Sequence, residues 1–145
     1  KRSIKPEISA ALCTLGERGE RLAATLEGAL PAISLVGEEA FSTAFSNDAA
    51  GVAAFAQRLY ALGKKGDVLW AISTSGNSEN CLQAATLARA IGIYVISLTG
   101  AHGGELTKLS DVCIAVPESE TYRVQELHLP IYHAICAALE ERFFG

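Results

Sequence analysis

The chain has 145 residues, half of them hydrophobic and 19% charged, which fits one compact domain with its own core and excludes an intrinsically disordered chain. A formal net charge of −4, with no dense tract of Lys and Arg, excludes a surface built to track nucleic-acid phosphates. No apolar run approaches the roughly 20 residues that cross a bilayer and no charged-then-apolar leader opens the chain, so no membrane partner and a cytoplasmic location are expected.

Residues 1–30, rich in Ala, Leu, Glu and Arg and punctuated by Gly16, Gly19 and Gly28, predict a lead-in of short helices. Residues 31–145 form the expected core of a single domain. An apolar run over 32–36, closed by Gly37, predicts a buried strand, and 38–48 reads as irregular and polar at its end. Val52, Phe55, Ala56 and Leu59 recur at spacings of three and four, which predicts a helix over 51–62 stopped by Gly63. Lys64 and Lys65 then mark an exposed turn. Strands are expected over 67–72, 94–98 and 112–116, with a helix over 78–91 that ends at Gly92 and a last helix over 123–143. That last helix carries apolar groups beyond one stripe, which predicts burial on several sides, including by another subunit. Strands that are apolar throughout and alternate with helices define the fold class as α/β: a doubly wound parallel sheet with helices on both faces.

Cys13, Cys81, Cys113 and Cys136 are widely spaced with no Cys-x-x-Cys pair, which predicts reduced, mostly buried thiols. His102 sits in a Gly-rich loop and is expected to be exposed, and His128 is expected to be structural. Chain start at Lys1 and the lack of any Met lead us to expect an N-terminally incomplete domain.

The chemistry concentrates in Ser73-Thr74-Ser75-Gly76-Asn77-Ser78, between a predicted strand and a predicted helix. A helix start presents unpaired N–H groups and a positive dipole end, both of which favour an anion. The hydroxyls add donors, Gly76 admits close approach, and ligands of parallel α/β sheets lie beyond the carboxyl ends of the strands. Without the Lys of a Gly-x-x-x-x-Gly-Lys loop, this cradle suits a monophosphate rather than a nucleotide.

Ile-Ser-Thr-Ser-Gly-Asn-Ser resembles the phosphosugar-binding signature of SIS (sugar isomerase) domains, in the branch of the phosphoheptose isomerases. Phe45-Ser46-Asn47-Asp48, Ile96-Ser97-Leu98-Thr99-Gly100, Gly103-Gly104 and Arg123-Val124-Gln125-Glu126-Leu127-His128 extend the resemblance from about residue 32 to the C-terminus. It implies a flavodoxin-like sheet, with Ser73, Thr74, Ser75 and Ser78 as phosphate ligands and Asn47 and Asp48 on the sugar hydroxyls. It further implies that Gln125 contacts substrate and that His133 is the catalytic acid/base group.

Some relatives bind zinc through the positions of Gln125 and His133 together with two residues from an earlier helix, so zinc is the one cofactor the resemblance suggests. Eight residues of helix separate that pair by about 12 Å along the axis and about 80° around it, whereas metal–ligand bonds are about 2 Å long. One regular helix cannot bring both to one ion, although Pro130 between them could kink the helix or start a new segment, and a neighbouring chain could supply one ligand.

Two departures qualify the resemblance. The family's Gly-Asn-Gly-Gly-Ser loop, with the following helix that bears a catalytic glutamate, has no counterpart; the run 32–36 resembles the family's second strand. Glu38 and Glu39 have no motif that marks either as the missing base. Tyr122 stands where heptose isomerases carry Asp. The resemblance thus implies a ketose/aldose phosphate isomerase, with sedoheptulose 7-phosphate to heptose 7-phosphate as the model reaction, working as a homo-oligomer (dimer or tetramer). The alternative is a non-catalytic phosphosugar-sensing regulator or protein adaptor.

Overall fold

A computed structural model describes residues 2–37, 39–48 and 51–145, with the backbone alone for Glu39, Ser42 and Asp48. The chain divides into two compact units, Lys1–Ile33 with Tyr132–Gly145, and Ser34–Ile131.

The first unit contains α1 (Pro6–Cys13) and α2 (Glu17–Thr25). Pro6 opens α1 where its missing N–H costs nothing. Gly19 does not interrupt a helix, contrary to expectation: it lies buried inside α2, where a Cβ would run into the carbonyl of Leu12, so it is the point at which α2 meets α1. Arg2 pairs with Glu140 at 2.6 Å and Glu27 at 3.8 Å, exposed contacts that contribute little to stability.

The second unit is built on a parallel sheet in the order β1 (Val68–Ile72), β2 (Tyr94–Thr99), β3 (Val112–Ala115), with helices on both sides. The register pairs Trp70 with Ile96 and Ile96 with Val112. On one face Leu69, Ala71 and Val95 pack against Leu59 of α4 (Ala54–Leu62) and against Ala84, Ala85 and Ala88 of α5 (Glu79–Ile91). The alanines let α5 lie close to the strands. Gly92 ends α5 in the left-handed conformation, φ 78°, where Gly costs least. A short α6 (Leu106–Leu109) adds fully buried Leu106 to the same core.

Three expectations are corrected here. Residues 32–36 form no strand. Ser34 instead makes a local turn, its hydroxyl bonding the amide and the carbonyl of Val36, and Ile33 and Val36 remain 64% and 66% exposed. A strand needs a partner edge, and the ladder from β1 runs only to β2 among the described residues. Residues 39–48 are helical (α3, Glu39–Asp48), with Phe41 and Phe45, one turn apart, stacked at 5.5 Å in support of it. Within the single chain the last helix, α7 (Thr121–Phe144), buries only Val124 and His128, while Leu127, Leu129, Leu139 and Phe143 are exposed, so burial on several sides is not met by this chain alone and the expected cover by another subunit is a separate matter. Pro130 lies inside α7 and starts no new segment.

The cysteines also depart from expectation: all four are free, but Cys13 and Cys136 are exposed and Cys81 and Cys113 only half-buried. Lys64 and Lys65 form the expected exposed turn and His102 is exposed.

Candidate functional site

Residues 73–78 leave the carboxyl end of β1 and feed directly into α5. Ser73 is buried and donates its amide to Leu98 of β2 (3.0 Å), continuing the ladder for one more step. Its hydroxyl lies 2.9 Å from that of Ser78, the N-cap residue of α5. With its hydroxyl engaged there, Ser78 makes no side-chain bond to the first turn of its own helix. Of the leading amides of this 13-residue helix, that of Cys81 donates to the carbonyl of Ser78 and to Oδ1 of Asn80, each at 2.9 Å, while those of Glu79 and Asn80 have no acceptor among the described residues and are left for an anion. Ser75 and Ser78 are exposed and Thr74 is half-buried, so three hydroxyl-bearing residues face outward around that helix start.

A second loop braces the first. The amide of Gly100 donates to the carbonyl of Thr74 (2.9 Å), the amide of Leu106 to the carbonyl of Gly76 (2.9 Å), and the amide of Glu105 to the side chain of Asn77 (2.9 Å). Asn77 also donates to the carbonyl of Ser75 (3.2 Å). Gly76 has φ 66°, and a Cβ on it would run into the carbonyl of Gly103. A Cβ on Gly104 would lie 2.6 Å from the carbonyl oxygens of Gly76 and Ser75. Both loops thus need Gly for their contact. Asn77 as the staple between them was not singled out from the sequence, although it stands inside the hexapeptide.

Gln125 is exposed on α7, between the two buried residues Val124 and His128. Val124 approaches to 3.1 Å of where a Cβ on Gly100 would project, and His128 bonds the carbonyl of Thr99 at 3.1 Å. The turn that carries Gln125 is therefore seated on the same stretch of β2 that braces the 73–78 loop. His128 is structural, as expected. Asn47 lies exposed near the end of α3; the side chain of Asp48, and all of Glu38, lie outside the described residues. His133 belongs to the other compact unit, exposed and edge-on to Tyr132 with ring centroids 5.1 Å apart.

Tyr122, at the place of the expected aspartate, accepts a hydrogen bond from Nε of Arg123 (3.0 Å), and that guanidinium reaches Glu118 at 3.4 Å. The bond to Tyr122 and then the contact with Glu118 hold Arg123 above its usual range. Glu118 is held below the usual carboxylate range, first by the amides of Ser119 and Glu120 and, against some desolvation, by Arg123. Burial pushes the Cys81 thiol up. Burial also pushes Cys113 up, but the hydroxyls of Ser97, Thr99 and Thr107 outweigh it and leave that thiol lowered.

The described residues do not fit zinc by themselves. No group of three His, Cys, Asp or Glu side chains among them converges as a metal site, and Gln125 and His133 lie on one continuous helix.

A family model for the SIS domain matches residues 16–100. The chain is similar to the phosphoheptose isomerase of Aneurinibacillus thermoaerophilus, 44% identical over 79% of this chain and 58% of that protein. It is also similar to that of Akkermansia muciniphila, 37% identical over 87% of this chain and 70% of its relative. Among solved structures, a phosphoheptose isomerase from Neisseria gonorrhoeae superposes with a TM-score of 0.75 at 38% identity, covering 77% of this chain and 62% of the other. One from Francisella tularensis gives 0.75 at 32% identity, covering 92% and 72%. The chain spans about three fifths to two thirds of the length of the curated relatives it matches. The 73–78 loop falls within the matched segment, and the chain belongs to the SIS domain family, in its phosphoheptose isomerase-like branch.

Proposed function

We propose that this chain binds a sugar phosphate at the 73–78 loop and serves a cytoplasmic ketose/aldose phosphate isomerase, with sedoheptulose 7-phosphate as the first substrate to try. The observation that carries this reading is the engagement of Ser78 by Ser73, which turns the cap hydroxyl away from the leading amides of α5. The phosphate would sit on the amides of Glu79 and Asn80, with the hydroxyls of Thr74, Ser75 and Ser78 around it. Gln125 would contact the sugar, and Asn47 and Asp48 its hydroxyls. A homo-oligomer is the expected working form.

Isomerisation takes a proton from carbon 1 of the ketose and returns one to carbon 2, while the hydroxyl proton passes from oxygen 1 to oxygen 2 through an enediol. His133 would supply one acid/base group, since an imidazole exchanges protons near neutral pH. A second reading, a phosphosugar sensor without turnover, is favoured by Tyr122, whose hydroxyl is tied to Arg123 where resembling isomerases carry a carboxylate.

Thermal unfolding of the chain with a panel of sugar phosphates, sedoheptulose 7-phosphate among them, and with the same sugars unphosphorylated tests the binding, followed by an assay of aldose formation. A ligand at about 100 times its Kd adds about 2.7 kcal/mol of stability. Stabilisation by the phosphosugar alone, lost in Ser75→Ala, is the expected result. Binding with turnover that disappears in His133→Ala supports the isomerase, binding without turnover supports the sensor, and no stabilisation by any phosphosugar sinks both.

A further inference from the structure

One peptide group joins α7 to the 73–78 loop. The carbonyl of Thr99 accepts from the amide of Val116 (3.0 Å) and is contacted by Nε2 of His128 (3.1 Å). Across the same peptide, the N–H of Gly100 donates to the carbonyl of Thr74 (2.9 Å). Donors on a peptide oxygen polarise the group and strengthen the bond its N–H makes. Whatever holds the Thr99 carbonyl therefore also holds Thr74.

His128 is an expensive choice for that task. The residue is 2% exposed, and because a carbonyl only accepts, Nε2 must carry the ring proton. Nδ1 is then left as an acceptor, buried and with no hydrogen-bond partner among the described residues. A buried unsatisfied nitrogen forfeits stability that a leucine of similar volume would keep, so its presence calls for a role beyond packing. The single bond it makes is directed at the one peptide that also braces the phosphate loop. Four residues before it on α7, Val124, the neighbour of Gln125, is seated against Gly100.

We propose that His128 is a positioning residue: its Nε2–H fixes the Thr99–Gly100 peptide, and through it sets the 73–78 loop and the Gln125 turn in register for a phosphorylated sugar. The inference rests on the reading of that loop as a phosphate site, but the link from His128 to Gly100 can be measured without any ligand.

Three variants of the chain decide it. His128→Leu keeps the volume and loses the donor, His128→Gln returns an N–H near the place of Nε2, and His128→Asn offers one only near Nδ1. Hydrogen exchange of the Gly100 amide, followed by NMR, is expected to speed up about tenfold in Leu and Asn and to return toward wild type in Gln, the loss of one hydrogen bond's worth of protection. Calorimetric titration with sedoheptulose 7-phosphate should show the same pattern, about tenfold weaker in Leu and Asn and recovered in Gln, with the melting temperature of Leu no lower than that of Gln. Should Leu not fold, Gln against Asn carries the comparison. Wild-type exchange at Gly100 in Leu or Asn, or a Gln variant no better than Asn, overturns the proposal. If the wild-type chain binds no sugar phosphate, the phosphate reading fails with its functional half, and the exchange at Gly100 still decides whether His128 holds the peptide.

Discussion

The two faces of the sheet are built differently. On one, Leu69, Ala71 and Val95 are at most 7% exposed and interlock with the alanines of α5 and with Leu59 and Leu106. On the other, along β2 alone, exposure falls from 47% at Tyr94 through half-buried Ile96 to 0% at Leu98. Close packing spread over a whole face is what stabilises this unit. Burial on the second face of β2 is complete only at the carboxyl end, beside the peptide that braces the candidate site. Stability and the site thus draw on different residues of the same strands, and substitutions should separate them.

Neighbouring residues of β1 give the largest contrast. Leu69→Ala, on the closed face, should cost about 2–5 kcal/mol in urea unfolding, whereas Val68→Ala, 58% exposed, should stay within about 0.5 kcal/mol. Equal losses would mean that the open face is covered in solution and would break the comparison. Next comes Gly76→Ala, which forces a left-handed residue and a collision with the Gly103 carbonyl; about 1–3 kcal/mol of stability should be lost, together with the stabilisation by sugar phosphate. Retained ligand stabilisation in that variant would show that the two loops need not touch for binding. Gly92→Ala, also left-handed but at the far end of α5, should cost about 1 kcal/mol and leave ligand binding unchanged.

How much of this was legible in the sequence depends on how local the cause is. The strand, the hexapeptide, the helix after it and its Gly92 stop carry their signals within a few residues of one another, and they fold as read. Residues 32–36 carry the same apolar signal as a strand, but a strand exists only against a partner edge, and Ser34 supplies a local turn instead. In 39–48 the polar Ser, Thr and Asn residues masked the Phe41–Phe45 pair that stacks at helical spacing. Within the site, the hydroxyls of 73–78 could be named from the hexapeptide. The roles of Asn77, Gly100 and His128 could not, because each acts on a loop or strand more than 20 residues away.

The smallest expected effect concerns two half-buried thiols, one in α5 and one in β3. Cys81, in the first turn of α5 behind the 73–78 loop, has its Sγ 3.7 Å from the carbonyl of Ile72 and is raised by burial. Cys113, in β3, has the hydroxyls of Thr99 and Thr107 each at 3.5 Å, and hydrogen bonds to its sulfur favour the thiolate by more than burial disfavours it. Only the thiolate alkylates, so a lowered value gives more reactive sulfur at a given pH and a raised one gives less. Iodoacetamide labelling read peptide by peptide should therefore rise for Cys113 at lower pH than for Cys81. Thr107→Val removes one of those hydroxyls and should move the Cys113 profile to higher pH without moving that of Cys81. Labelling of Cys81 first, or a Cys113 profile that ignores Thr107, would mean that the hydroxyls of β2 and α6 do not hold that sulfur. Because Thr99 belongs both to this cluster and to the peptide held by His128, a changed Cys113 profile in His128→Leu would extend the brace across β2 to β3.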